Sequence, residues 1–530
     1  MMKIVAVKPG HDGHITYVKD GTLEFSYEAE KDTGFRYQEL DIITTIDAFM
    51  QIGDVPDVIS VSGWSRGWDP MGVPVGAGYS GLQVPEQKMI SFMGTQTALF
   101  SSTHERSHLF CAYAMSPYDQ GEPVYALLWE GYLGAFYSID ANVNITKLKD
   151  ILVDPGIRYA FIYALVDPTF NLPRGGVRLG DAGKLMALAA YCDSSIVPSA
   201  EETAILDKIF SAPHEKTSLH KEDFNEYEAF NSGVASEASK RLARLASNKL
   251  FEIFHSSISE LVEDIRPLLI TGGCGLNCDW NAEWQACELF ADTFIPPCTN
   301  DTGAGLGTAA EAQFLYTGDA KIKWSVYSGQ DFVDDLRICD FSMIDNYIRI
   351  KSGVAGVASA LNKGAVIAWV NGKCEIGPRA LGNRSLLAEP FHKDTLNKLN
   401  EIKKREMFRP IAPICLEDDY QKYFTLTKPS PHMLYFSQVK DARLRAVSHV
   451  DGSARPQTVN EKQNPEIFEL LLKFRETSGV GVLCNTSLNF NRMGFINRSS
   501  DLLDYAKSVG LDGFVLNGTA FMREEFLDDC

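Results

Sequence analysis

Long apolar runs and an excess of positive charge are both missing from this sequence. No apolar stretch among the 530 residues approaches the roughly 18 residues that span a bilayer, so we expect no membrane partner. The net charge of -19 argues against nucleic acid as a partner, because phosphate backbones bind to basic faces. The N-terminal residues MMKIVAVKPG enter a strand without the apolar segment of a signal peptide, and we expect a cytoplasmic protein.

Paired cysteine motifs are missing as well. Cys274 and Cys278 are spaced CxxxC, and no second pair completes a zinc knuckle. Several of the eleven cysteines lie inside apolar runs such as LFCAYA and GVLCNTS, which is typical of reduced thiols in the cytoplasm. The composition, 45% hydrophobic and 22% charged, is that of a globular protein, and the length predicts two or more domains.

One segment is unusually basic for so acidic a chain. Between Cys374 and Pro413 the basic side chains that we single out are Arg379, Arg384, Lys403, Lys404, Arg405 and Arg409. A solvated basic helix is the usual interpretation of such a cluster. Here the cations alternate with apolar segments, RALG and FRPIAP, and turns at Gly377-Pro378 and Gly382-Asn383 bring backbone N–H groups close to them. We therefore predict a site for a phosphate or carboxylate.

Two strand–turn–strand patterns predict a duplicated nucleotide-binding domain. The first pattern begins at Lys3 and carries His11 and Asp12 in its turn, and the second covers residues 124–139 with Glu130 in its turn. Such paired hairpins resemble the α/β fold of actin, sugar kinases and heat-shock chaperones, where they hold the phosphates of a nucleotide across a cleft.

Two glycine-rich segments fit the same fold. LLITGGCGLN (268–277) reads as a buried strand ending in glycines that allow a nucleotide to lie against bare backbone, with Gly273 and Asn277 as candidate contacts. NDTGAGLG (300–307) follows as a loop that leads into a helix. We expect a domain over residues 1–318, a linker over 319–347 and an α/β domain over 348–530 that ends in a final strand, Gly513–Leu516.

The residues THERSH contain the HExxH motif of zinc proteases. His104 and His108 share one face of a predicted helix, with Glu105 in the position of the protease base. Neither protease-type third ligand is visible downstream, so we favour a metal site without a catalytic glutamate over a protease or a purely structural histidine pair. Carboxylates from the hairpin and glycine segments, Glu130 and Asp301, are the nearest candidates, and this donor set suits Fe(II), Mn or Zn.

Several motifs, taken together, resemble one enzyme family. They are HDG at 11–13, HxxxH at 104–108, GGCGLN at 272–277, GPRALGNRS at 377–385, NEIKKREMFRPIAP at 400–413, SARPQTV at 453–459 and CNTSLN at 484–489. In this order they resemble the O-carbamoyltransferases of nodulation factors, cephems, ansamycins and aminoglycosides. The opening VAVKPGHDG most resembles the subgroup that acts on hydroxymethyl-cephem-like and other antibiotic or toxin precursors.

The resemblance implies an enzyme with two sites. A C-terminal domain similar to the YrdC fold would take carbamoyl phosphate and ATP, with Mg as an option, form carbamoyl-adenylate and release pyrophosphate. An N-terminal domain similar to the tRNA threonylcarbamoyl-transfer protein would hold the adenylate on a divalent metal, Fe(II) first and Mn or Zn as alternatives. There the carbamoyl group would pass to the hydroxyl of a small natural product. An enclosed path would protect the intermediate from water.

The resemblance also assigns residues. It implies carbamoyl-phosphate binding by Lys403, Arg409, Arg455, Asn485 and Ser487, with Arg379 and Arg384 as further phosphate contacts; the alternative for these two, Lys404 and Arg405 is pairing with Glu375, Glu389 or Glu406. It implies metal ligation by His104, His108, Glu130 and Asp301. His11 would be the base toward the acceptor hydroxyl. Asp12 would orient His11 or bind substrate, or form an Asx turn.

The chain departs from the family pattern in two places. Glu130 stands where an aspartate is usual, which puts the identity of the metal in question. The stretch 28–37 is also unusual, which we interpret as a different acceptor, with Lys31 and Arg36 as nucleotide or acceptor contacts or as part of a solvated loop. A tRNA threonylcarbamoyl-type transferase and a regulatory nucleotide-binding protein are the alternatives. A homodimer is one candidate assembly.

Overall fold

The computed structural model describes residues 2–31, 34–66, 72–83, 85–173, 176–211 and 219–527. Residues 32 and 33, within the unusual stretch 28–37, lie outside the described residues. The described residues contain thirteen α-helices, and they are α1 (Ile42–Ile52), α2 (His104–Met115), α3 (Pro155–Val166), α4 (Ala182–Ala189), α5 (Ala200–Phe210), α6 (Glu237–Ser259), α7 (Cys278–Ala286), α8 (Ala304–Thr317), α9 (Gly353–Asn362), α10 (Lys393–Ile402), α11 (Tyr420–Tyr423), α12 (Pro465–Ser478) and α13 (Ser499–Val509).

The strands of the described residues are β1 (Lys3–Lys8), β2 (His14–Lys19), β3 (Thr22–Glu28), β4 (Val58–Ser62), β5 (Trp64–Arg66), β6 (Val73–Val75), β7 (Glu86–Phe92), β8 (Thr95–Ser102), β9 (Val124–Trp129), β10 (Gly134–Ile139), β11 (Ile145–Asp150), β12 (Leu268–Thr271), β13 (Thr293–Phe294), β14 (Met343–Ile344), β15 (Tyr347–Arg349), β16 (Ile367–Val370), β17 (Arg384–Ala388), β18 (Ala412–Leu416), β19 (Ser437–Gln438), β20 (Ser453–Ala454), β21 (Gln457–Val459), β22 (Val482–Ser487), β23 (Gly513–Leu516) and β24 (Thr519–Arg523).

The chain forms two compact units that do not follow chain order. The first unit contains residues 1–60, 89–99 and 323–530, and the second contains residues 61–88 and 100–322. Compactness does not locate the ends of sequence domains, so the boundaries expected at 318 and 348 stay a prediction.

Two sheets repeat one strand order, as the duplicated fold requires. One has the order β3-β2-β1-β4-β8-β7, and the other has the order β11-β10-β9-β12-β13. Each starts as an antiparallel three-stranded meander, with β2 between β1 and β3 and with β10 between β9 and β11. In the second sheet β12 then pairs parallel with β9. The predicted α/β fold with a duplicated N-terminal half is confirmed.

A nine-stranded mixed sheet carries the C-terminal part of the first unit. Its order is β14-β15-β24-β23-β16-β17-β22-β18-β21, with helices α9 and α12 packed on its core. The core includes Trp369 from β16, Ile414 from β18 and Leu471 from α12, each at most 2% exposed. Strand β24 follows β23 as an antiparallel partner, so the prediction that Gly513–Leu516 is the last strand is wrong.

Helices α2 and α8 of the second unit lie in close contact. Thr103 caps α2 by accepting the backbone N–H of Arg106 at 3.1 Å, and eleven of its twelve residues are buried. A Cβ on Gly307 of α8 would lie 1.7 Å from the backbone oxygen of Ser107. The Ser107 and Thr308 hydroxyls, 2.6 Å apart, add a hydrogen bond across the contact. The glycine of NDTGAGLG at 307 therefore serves helix packing, and the helix begins at Ala304, earlier than predicted.

No helix among the described ranges combines the length and apolar character needed to cross a membrane.

The substitution Gly307→Ala tests the helix contact. The added methyl group has no room against Ser107, so α2 and α8 must separate, and we expect a loss of roughly 1–3 kcal/mol in the free energy of unfolding in urea. Gly183→Ala is the matched control, because a Cβ there meets no atom within 4 Å. It should leave stability unchanged or raise it by at most about 1 kcal/mol. Equal effects of the two substitutions would contradict the packing role.

Candidate functional site

The second unit brings four predicted ligands together. His104 and His108 stand one turn apart on α2, Glu130 follows β9, and Asp301 opens a short 3-10 turn, Asp301–Gly303, before α8. One ligand atom of each lies within 4.8 Å of all the others, and all four residues are buried. The order of motifs along the sequence thus corresponds to one cluster in space.

The spacing of these atoms fits a metal ion. Nε2 of His104 lies 3.1 Å from Nε2 of His108 and 3.3 Å from Oε2 of Glu130. Oδ1 of Asp301 lies 3.6 Å and 3.4 Å from the same two nitrogens. A tetrahedral ion with ligands at 2.0–2.2 Å needs edges of about 3.3–3.6 Å. Two neutral imidazoles and two carboxylates would also balance a divalent charge.

The histidine side chains are prepared for ligation. Burial lowers the pKa of His104, partly opposed by Asp301, which favours the neutral imidazole that binds metals. The hydroxyl of Thr271, at the end of β12, lies 3.3 Å from Nδ1 of His108 and donates to the His108 carbonyl at 3.1 Å. This contact fixes the ring with Nε2 directed at the cluster.

The glutamate of HExxH is not a base in this site. Oε1 of Glu105 accepts the hydroxyl of Tyr137 at 2.8 Å and lies 2.9 Å from Nζ of Lys147. Oε2 accepts the backbone N–H of Gly81 at 2.7 Å. Both oxygens of this buried carboxylate are held by the protein, which removes the protease alternative.

The glycine segment after β12 is built for close packing. A Cβ on Gly272, which has φ +96°, would lie 2.5 Å from the carbonyl oxygen of Trp129 and 2.9 Å from Cβ of Glu130. The neighbouring Gly273 has open space at its Cβ position. Asn277 caps α7 through Oδ1, and its buried Nδ2 has no hydrogen-bond partner among the described residues. The nucleotide contacts of Gly273 and Asn277 stay predictions.

His11 and Asp12 lie in the turn between β1 and β2 of the first unit. Asp12 has φ +52°, and its Oδ2 lies 2.9 Å from Nδ1 of His11. The imidazole side chain is 36% exposed. The structure therefore places the carboxylate where it can orient the ring, while the role of His11 as a base stays a prediction.

The first unit contains a buried cluster of positive charge around Lys403. Nζ of Lys403 donates to the carbonyl oxygens of Ser487 at 2.5 Å and of Asn489 at 3.2 Å. Burial and the repulsion of Arg405, Arg409 and Arg36 hold the pKa of Lys403 well below its usual value. Burial together with Arg409 and Arg455 lowers the pKa of Arg405 to about 9. Like charges held this close favour a bound anion.

Two ion pairs join carboxylates to arginines of this cluster. Glu406 approaches Arg409 only to 3.9 Å, and Glu30 lies 3.4 Å from Nε of Arg36, whose side chain is 40% exposed. The buried Nε of Arg455 has no hydrogen-bond partner among the described residues. A bound anion would supply a hydrogen-bond acceptor for this guanidinium group.

Two neutral side chains complete the predicted pocket. Asn485 of β22 donates through Nδ2 to the Ala380 carbonyl at 3.2 Å and to Oε1 of Gln457 at 3.0 Å. Its buried Oδ1 has no partner among the described residues. Ser487 on the same strand donates to Oδ1 of Asn489 at 2.6 Å. Asn485 thus offers an acceptor suited to an amide N–H.

Two predicted ligands are corrected to structural residues. Arg384 donates all five of its N–H groups to protein oxygens, those of Asn497 and of three carbonyls, and it is fully buried, so none is left for a phosphate. Lys31 is 2% exposed and donates to Glu28 and to the carbonyls of Glu375 and Gly377. Both alternatives predicted for Lys31, a ligand contact and a solvated loop, are therefore wrong.

Glu375 has a role in the loop backbone that the sequence does not reveal. Its Oε1 accepts the backbone N–H groups of Leu381 and Asn383, each at 2.7 Å, and of Arg384 at 3.3 Å. The sequence offers this carboxylate only as an alternative partner for arginine or lysine side chains. Instead it fixes the GPRALGNR loop that carries Arg379, whose phosphate contact stays a prediction.

Two family models match the chain. The model described as Carbamoyltransferase N-terminus matches residues 91–310, and that described as Carbamoyltransferase C-terminus matches residues 358–523. Neither match includes the turn of His11 and Asp12, whereas the four predicted metal ligands and most of the cations around Lys403 fall inside them.

Curated relatives match over the full length. The 3'-hydroxymethylcephem-O-carbamoyltransferase of Amycolatopsis lactamdurans is 45% identical, covering 99% of this chain and 100% of the relative. The enzyme of the same name from Streptomyces clavuligerus is 44% identical, covering 98% and 99%. Nodulation protein U of Rhizobium tropici is 31% identical, covering 99% and 96%.

Solved structures match more weakly. Full-length HypF in its phosphate- and nucleotide-bound form has a TM-score of 0.31 at 13% identity, covering 60% of this chain and 56% of that one. An archaeal actin homologue has a TM-score of 0.30 at 11% identity, covering 59% and 99%.

Metal affinity tests whether Asp301 is a ligand and whether Glu105, the glutamate of HExxH, is not. Asp301→Asn removes one anionic ligand, and we expect its affinity for Mn²⁺ to fall by roughly 100-fold or more, beyond the 10- to 100-fold typical of changes around the ligands. Glu105→Gln should keep the affinity within about threefold, because Glu105 contacts only protein groups. Affinity is measured by competition with a chelator. A loss in Glu105→Gln as large as that in Asp301→Asn would restore the protease-type interpretation.

Proposed function

The chain belongs to the carbamoyltransferase family, and we propose that it is an ATP-dependent O-carbamoyltransferase that modifies a hydroxyl of a small natural product. The buried cationic cluster around Lys403 is the observation that carries the assignment of the co-substrates. Carbamoyl phosphate and ATP are both phosphate anions, and a buried lysine whose neighbours are mutually repelling arginines favours such ligands.

The first half-reaction is the activation of the carbamoyl group. Water cleaves carbamoyl phosphate into carbamate and phosphate. An oxygen of the carbamate then bonds to the α-phosphorus of ATP, the bond from that phosphorus to pyrophosphate breaks, and carbamoyl-adenylate is the product. Lys403, Arg409 and Arg455 hold the phosphate, and Mg²⁺ accompanies ATP. Oδ1 of Asn485, buried without a protein donor among the described residues, accepts from the carbamoyl NH₂ group.

The second half-reaction is the transfer to the acceptor. His104, His108, Glu130 and Asp301 hold a divalent metal, Fe(II) first with Mn or Zn as alternatives, which when bound supplies a Lewis acid for the carbamoyl carbonyl. His11, oriented by Asp12, takes the proton of the acceptor hydroxyl. The hydroxyl oxygen forms the bond to the carbamoyl carbon, and AMP leaves.

The acceptor we propose is a hydroxymethyl group on a cephem-like molecule, within antibiotic biosynthesis. Two full-length relatives that are 45% and 44% identical carry the name of that reaction. A small molecule also fits better than a transfer RNA, because a net charge of -19 would repel a polyanion.

Exchange of labelled pyrophosphate into ATP tests the first half-reaction without an acceptor. The exchange should depend on carbamoyl phosphate in the wild type. Lys403→Ala should lower its rate by roughly 100-fold or more, because the phosphate loses its buried cation. His104→Ala should exchange at the wild-type rate yet fail to carbamoylate an acceptor, which mass spectrometry follows as the gain of one carbamoyl group.

The neighbouring Lys404 supplies the control. It is exposed and has φ +48°, which asparagine tolerates, so Lys404→Asn should exchange normally. No exchange in the wild type with Mg²⁺ and Mn²⁺ supplied would refute the adenylate route. Loss of exchange in His104→Ala would refute the division between activation and transfer.

A further inference from the structure

Tyr79 contacts two members of the ligand cluster at once. Its hydroxyl donates to Oε1 of Glu130 at 2.7 Å, while the other oxygen, Oε2, lies 3.3 Å from Nε2 of His104 and 3.6 Å from Nε2 of His108. The two oxygens of Glu130 therefore have separate tasks. One faces the tyrosine and the other faces the histidine nitrogens.

The ring of Tyr79 also packs on a ligand. It stacks on the imidazole of His104 with centroids 4.5 Å apart and an interplanar angle of 29°. Trp64 meets the same imidazole edge-on at 5.0 Å. Tyr79 is 6% exposed, so its ring and hydroxyl are both enclosed with the cluster.

The backbone around Tyr79 is fixed to the ligand-bearing helix. The carbonyl of Gly78 accepts the N–H of His104 at 3.1 Å, and the carbonyl of Tyr79 accepts the N–H of Glu105 at 3.0 Å. These bonds satisfy two of the free N–H groups at the start of α2. Two backbone hydrogen bonds and one ring contact thus hold the Tyr79 segment in register with the start of α2.

A glutamate ligand needs such a contact more than an aspartate would. Its side chain has one more rotatable bond, so holding its carboxylate in one position costs more conformational entropy. A donor on the outer oxygen fixes that rotamer and presents the inner oxygen as a single ligand atom. Glu130 occupies the position where the family resemblance predicts an aspartate, and the Tyr79 contact offsets the freedom of the added methylene.

We propose that Tyr79 is a positioning residue of the metal centre, which does not bind the ion but fixes the Glu130 carboxylate and the His104 ring for it. The proposal rests on the metal site of the proposed function. Tyr79 becomes the hydrogen-bond partner that positions Glu130, and it lies outside the metal-binding motifs of the sequence.

The test compares two tyrosines that each donate to a buried glutamate. Tyr79→Phe should weaken binding of Co²⁺ by about 10- to 100-fold, measured by competition with a chelator, and should change the Co²⁺ absorption bands through the altered ligand geometry. Tyr137→Phe removes the equivalent hydroxyl from Glu105 and should leave both readouts unchanged. Urea unfolding of the metal-free variants should be similar, which separates ligand positioning from general stability.

The variant Glu130→Asp tests the same contact from the other side. Its shorter carboxylate cannot reach both Tyr79 and the histidines, so it should bind Co²⁺ more weakly, and adding Tyr79→Phe should cost less than about threefold more. This comparison holds even if Tyr79→Phe alone folds poorly. An effect of Tyr79→Phe no larger than that of Tyr137→Phe, or full additivity with Glu130→Asp, would overturn the proposal. A wild type that binds no Co²⁺ would instead refute the metal site itself.

Discussion

The second unit depends on the contact between α2 and α8. Helix α2 supplies His104 and His108, and Asp301 stands directly before α8, so the ligands meet only because the helix backbones approach closely. Gly307 makes this approach sterically allowed, and the Ser107–Thr308 hydrogen bond stabilises it. Gly272 serves the same end at β12, where a side chain would collide with Trp129 and Glu130. Small residues at these helix and strand contacts thus set the dimensions of a charged site.

The first unit buries several positive charges near one another. Its cations Lys403, Arg405 and Arg409 repel one another, and a carboxylate and a second lysine fix the loop that carries Arg379. Glu375 accepts hydrogen bonds from three backbone N–H groups. Lys31, which is distant in the sequence, donates to the carbonyls of Glu375 and Gly377 in the same loop. Lys403 is therefore destabilised by repulsion from Arg405 and Arg409, and a bound anion would offset that repulsion.

The sequence predicts strands and charged ligands better than it predicts the side chains that contact those ligands. The strand–turn–strand pattern of β9 and β10 has its predicted outer bounds, residues 124 and 139, and β23 has its predicted bounds, because apolar runs end at clear turns. His104 and His108 follow from helical spacing. Tyr79 could not be found in this way, because it lies in a loop 51 positions before Glu130, and only tertiary packing joins them. Arg384 shows the opposite error: a basic residue in an anion-binding segment satisfies its donors within the protein.

The cations around Lys403 form an anion site if phosphate binding there takes up a proton, and this uptake can be measured. Burial and the neighbouring cations lower the pKa of Lys403, so without an anion its surroundings favour the neutral amine more than water does. A bound phosphate dianion favours the cationic form, so binding should raise this pKa and take up a proton. Calorimetric titration with inorganic phosphate at one alkaline pH, in buffers of different ionisation enthalpy, measures this. We expect saturable binding with net proton uptake, and we expect Lys403→Ala to abolish the uptake. If phosphate did not bind, or bound with proton release, the cations around Lys403 would not form an anion site.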